Sequence, residues 1–148
     1  MNTHSPESRT YEKTLAEHQE LKDLLKRIDE ATLARSGTIA EVGDLLALLG
    51  DRLVKRFAME EDGSYFGDAL LHAPQLVSKA NRLLAQHPKM CVQADKLLAE
   101  VRTAPERADW WERTRKLFVE FRDELLLHER QEDRLLQEAY GQDIGSHD

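Results

Sequence analysis

In the stretch LLHERQEDRLLQEAY, His128 and Glu132 stand four residues apart. On a helix that spacing puts an imidazole and a carboxylate on one face, a turn apart. Nitrogen and oxygen donors mixed in this way suit iron, manganese or zinc. Three further stretches carry residues of the same kinds: His18 in EHQELKDLL, Glu60 in RFAMEEDGSYF and His87 in AQHPKM. Arg56, four residues before Glu60, adds a guanidinium that can pair with a carboxylate but cannot ligate a metal.

What makes these residues unusual is the company they keep. Ile39, Val42, Leu46, Leu49 and Leu53 recur at steps of three and four, one stripe of an amphipathic helix, and the next positions on it are Arg56 and Glu60. His18 heads a stripe with Leu21, Leu25 and Ile28. His87 interrupts Leu76, Ala80, Leu83, Met90, Ala94, Leu97 and Val101, while His128 and Glu132 interrupt Phe121, Leu125, Leu135 and Ala139. A buried carboxylate without a partner costs several kcal/mol, so each of these seams demands one.

The elements that must position them are four helical blocks: about Ser8 to Arg35, Thr38 to Glu61, Pro74 to Arg102 and Ala108 to Tyr140. Ser36-Gly37-Thr38 reads as a stop, a turn and an N-cap. Tyr65 to Ala73 reads as a longer connection containing a helical turn. Pro74 suits a helix start, and Pro88 must kink or interrupt the third block. The expected organisation is a tail over 1–10, an all-α, up-down-up-down four-helix bundle over 11–140, and a frayed tail over 141–148. In that topology His18, Glu60, His87, His128 and Glu132 fall at depths that agree within a few turns, at about 1.5 Å per residue. Three imidazoles and two carboxylates are therefore expected on one cross-section.

Composition agrees. The chain has 148 residues, 33% of them charged, with only 7 glycines and 4 prolines, which favours one helical domain with a single core. The net charge is −7, and acidic and basic residues alternate without the basic stripe a nucleic-acid partner requires. No apolar run approaches the roughly 18 residues of a membrane span. The N-terminal residues lack the charged and apolar regions of a secretory signal, and the single cysteine, Cys91, excludes an internal disulfide. A soluble cytoplasmic setting is the expectation.

The four quoted stretches, in their order, resemble the hemerythrin-like, or HHE cation-binding, four-helix bundles over about residues 11 to 140. That family places a histidine in the first helix, H-x-x-x-E in the second, a histidine in the third and H-x-x-x-E in the fourth. The resemblance implies that His18, Glu60, His87, His128 and Glu132 ligate a non-haem iron centre. It further implies binding or sensing of dioxygen, another small diatomic, or iron itself. Three departures stand out. The second-helix histidine is Arg56 here, which implies a weakened second iron position, a mononuclear site, or none. Oxygen carriers have a further histidine one turn after the third-helix one, where this chain has Cys91. They also place an aspartate five after the fourth-helix histidine, where Asp133 stands; the seam favours Glu132 and turns Asp133 away from the core.

Two other readings remain open from the residues. One is an enzyme, an iron-dependent oxidase or peroxide-consuming activity. The other is a metal-free interaction module in which Arg56 neutralises Glu60 or Glu132. Cys91 reads as a small core residue, Trp110, Trp111, Phe118 and Phe121 as packing, and His4, His72 and His147 as solvated. Glu61, Asp62 and Tyr65 read either as supporting groups beside the site or as surface residues. No phosphate loop or nucleophile triad is present, and no protein partner is indicated.

Overall fold

A computed structural model describes the backbone of residues 6–61 and 67–145, and side chains from 16 to 141 with a few gaps near the central connection. Asp62, Tyr65, His4, His147 and the side chain of His72 lie outside the described residues. The chain forms α1 (Pro6–Ala34), α2 (Ile39–Glu61), the short α3 (Gly67–His72), a 3-10 turn (Pro74–Leu76), α4 (Val77–Leu84), α5 (His87–Thr103) and α6 (Trp110–Gly145). Among the described residues there is no strand, and no helix is long and apolar enough to cross a membrane.

The breaks follow from local chemistry. Arg35 (φ 52°) and Gly37 (φ 79°) adopt the left-handed region that ends a helix. Thr38 then caps α2 reciprocally: its Oγ1 accepts from the Glu41 N–H at 3.1 Å, and Glu41 Oε2 accepts from the Thr38 N–H at 3.3 Å. The third block is not one kinked rod but three pieces. Pro74 opens the 3-10 turn, and Pro88 sits in the first turn of α5, where its missing N–H is harmless. The two-residue break between α4 and α5 leaves Gln86 just ahead of His87. At the other end, α6 runs on past Tyr140 to Gly145, so the expected frayed tail is helical up to there.

Cross-helix pairs give the arrangement. Arg52 on α2 pairs with Glu20 on α1, Arg102 on α5 reaches Asp44 on α2 at 3.5 Å, and Arg122 on α6 reaches Asp29 on α1 at 2.9 Å. With α5 also packed on α6, the four rods form a ring in which each runs antiparallel to its neighbours. Inside, one apolar cluster runs from Leu21, Leu53, Phe57 and Met90 to Val101, Trp110 and Phe118. A second, smaller cluster joins Ala73, Leu76, Ala80 and Leu83 to Leu135, Leu136 and Ala139. Along α6, the residues between Leu125 in the first cluster and Leu135 in the second include His128, Glu129 and Glu132, all buried. A layer of buried charge thus separates two apolar bodies.

Candidate metal centre

All five predicted site residues lie in that layer, with exposures of 5% or less: His18, Glu60, His87, His128 and Glu132. Each element contributes from a defined place. α1 supplies His18, α2 supplies Arg56, Phe57 and Glu60 from its last turns, α5 supplies His87 as its first residue, and α6 supplies His128, Glu129 and Glu132.

Glu132 is central. Its Oε2 stands 3.1 Å from His128 Nε2 and 3.3 Å from His87 Nε2, and Glu60 Oε2 stands 3.0 Å from the same His87 nitrogen. These short separations are not all hydrogen bonds. His128 Nε2 and both oxygens of Glu60 have no hydrogen-bonding partner of suitable geometry among the described residues. Buried polar atoms that crowd together without bonding are rare in folded proteins. Two ligands bound at about 2.1 Å to one ion sit about 3.0 Å apart at right angles and about 3.4 Å apart in a tetrahedron. The observed separations fall in that interval. Donor atoms of His87, His128 and Glu132 form one such group, and those of His18, Glu60 and Glu132 another, each within 4.8 Å of one another.

The outer nitrogen of His128 is held as that of a ligating histidine usually is, whereas His87 Nδ1 makes no hydrogen bond among the described residues. His128 Nδ1 lies 2.7 Å from Gln86 Oε1, so it carries the proton there and leaves Nε2 facing Glu132. His87 Nδ1 lies 3.5 Å from Glu61 Oε1, a long contact to a side chain half in solvent. The ring of Phe57 stacks on His87 with centroids 3.8 Å apart and planes within 5°, and meets His128 edge-on at 5.8 Å. Phe57 is therefore the apolar wall that fixes both imidazoles.

The second group is built differently. Arg56 pairs with Glu129, and its Nη2 lies 3.5 Å from Glu132 Oε1 and its Nε 3.6 Å from Glu60 Oε1. His18 Nε2 lies 3.2 Å from Glu129, and His18 Nδ1 lies 3.0 Å from Asp133 Oδ1. A fixed cation thus occupies the carboxylate side of the second position, and both nitrogens of His18 are engaged by acids.

The titration behaviour reflects this crowding. Burial pushes Glu60 up to about 8, with the Glu132 charge beside it adding to the rise against the opposing His87 and Arg56. Burial and the Glu132 charge likewise push Glu129 up to about 7. His87 is raised to about 9, because contacts with Glu132 and Glu60 outweigh the burial that opposes its charge. Burial also opposes ionisation of Glu132, but His128 and His87 overcome it and hold that carboxyl well below the usual range. Glu132 is the anion of the cluster.

The sequence pattern placed these five residues on buried faces but did not single out Glu129, Gln86 and Phe57. Glu129 follows Leu125 by four and precedes Glu132 by three, so a wider stripe on α6 contains it. The expectation that Asp133 turns away from the core is corrected: it is half-buried and faces His18. Cys91 is half-buried and packs on the edge of the main cluster, so its reading as a core residue holds only in part. No family model, curated protein or solved structure matches this chain.

Proposed function

We propose that this protein is a hemerythrin-like non-haem iron-binding bundle of the cytoplasm, holding one iron ion per chain and binding or sensing dioxygen or another small diatomic. The observation that carries the reading is the convergence of His87, His128, Glu132 and Glu60 at 3.0–3.3 Å with His128 Nε2 and both Glu60 oxygens left without hydrogen bonds. Two imidazoles and two carboxylates suit iron better than calcium or magnesium, which favour oxygen alone. Iron in such a donor set supplies Lewis acidity, redox chemistry and an open position for a small ligand.

The chain's own residues do the rest. His87 and His128 present nitrogens whose orientation is set by Phe57 and Gln86. Glu132, ionised and fully buried, neutralises charge between them. The apolar clusters on either side keep bulk water away. Arg56 supplies the positive charge that a second ion would otherwise bring to Glu60, Glu129 and Glu132.

A metal-free interaction module is the second reading, favoured by that same guanidinium. Metal analysis of protein purified from iron-supplemented cells separates the two. One iron per chain is expected. A chain that takes up no iron, manganese or zinc after reconstitution sinks the proposal.

A further inference from the structure

A second polar feature lies outside the charged layer, between α4 and α6. It is a cavity of about 330 Å³ lined by Lys79, Arg82, Leu83, Gln86, Gln131, Arg134, Leu135 and Glu138. Leu83 and Leu135 are buried and form an apolar floor, while the arginines are exposed at the rim. Lys79 Nζ lies 3.2 and 3.1 Å from the two oxygens of Glu138, so those two charges cancel. Arg82 and Arg134 make no ion pair among the described residues, and they line the same cavity from two different helices.

On a chain of net charge −7, two uncompensated guanidiniums on one cavity reverse the local sign. A guanidinium presents a planar fork of donors that matches carboxylate or phosphate oxygens in pairs. Gln86 and Gln131 add amide donors to the same wall. The volume is near the lower end of small-molecule sites, about 300–1,000 Å³, so the occupant is compact. We infer that this cavity binds a small dianion, a phosphate or a short dicarboxylate, held between Arg82 and Arg134.

Gln86 connects this site to the core, because the side chain that lines the cavity also holds His128 Nδ1 at 2.7 Å. An anion that recruits the Gln86 amide therefore alters how His128 is presented. This link rests on the metal reading above; the anion site itself does not.

The test is calorimetric titration of the metal-free chain with inorganic phosphate and, separately, with succinate. Saturable binding of either is expected, weakened at least roughly tenfold in the double variant Arg82→Gln/Arg134→Gln, since charge-assisted bonds of this kind carry about that factor each. The exposed pair Lys22→Gln/Arg27→Gln on α1 should leave the affinity unchanged. No saturable binding of either anion, or equal weakening in both double variants, overturns the site. In metal-loaded protein the anion affinity should shift, and metal affinity should shift by the same factor when the anion is added first. Identical anion affinities with and without metal overturn the link through Gln86.

Discussion

Arg56 places a guanidinium among Glu60, Glu129 and Glu132, where a second metal ion would otherwise balance their charge. Replacing it with histidine removes that charge and adds a nitrogen donor, so Arg56→His should raise iron content from one ion toward two per chain. Unchanged stoichiometry would mean that Arg56 does not stand at a ligand position. Gln86→Ala leaves His128 Nδ1 without its 2.7 Å partner. Loss of such outer partners weakens metal affinity by about tenfold or more, measurable by competition with a chelating dye. Proton linkage belongs at this scale too. In the metal-free fold His87 is raised from 6.5 to about 9 and Glu60 from 4.5 to about 8, so the folded chain binds more protons than the unfolded one. Their contribution is present below the unfolded values and is lost as pH rises through about 8 and 9. Thermal melts of metal-free protein should therefore drop between pH 7 and pH 9.5, and metal uptake at neutral pH should release protons. A melting temperature that climbs over this interval contradicts the assignment.

Among the elements, α2 and the α4–α5 break do most to set the site. Thr38 and Glu41 start α2 at a defined residue, and Phe57 and Glu60 then lie near its far end on the buried face. Thr38→Ala removes the cap and should cost about 1 kcal/mol in urea unfolding, with metal content unchanged. A loss of metal along with that small destabilisation would show that the cap also sets the register of Glu60. Pro88 has the opposite kind of effect. By starting α5 it puts His87 at a helix N-terminus and leaves Gln86 outside both helices, in reach of His128. These boundaries were legible in sequence because proline, glycine and capping residues act locally. The division of the third block into a 3-10 turn, α4 and α5 was only half legible: prolines mark where a helix can begin, not how many residues each piece keeps.

At the scale of the molecule, the bundle carries a charged layer between two apolar clusters, and the proposed ion would offset the cost of burying that layer. A metal held only by the folded state raises the melting temperature with concentration, so chelation should lower it by several degrees. An equal melt before and after chelation would favour the metal-free network instead. Periodicity alone determined that the chain is helical, which faces are buried, and that His18, Glu60, His87, His128 and Glu132 lie on those faces, because a 3.6-residue repeat is a property of neighbours in the chain. Only the tertiary structure decided that Arg56 turns to Glu129, that Asp133 faces His18, and that Gln86 and Phe57 hold the imidazoles. Those choices depend on which helix stands opposite and at what height, and residues as far apart in the chain as His18 and Asp133 meet there.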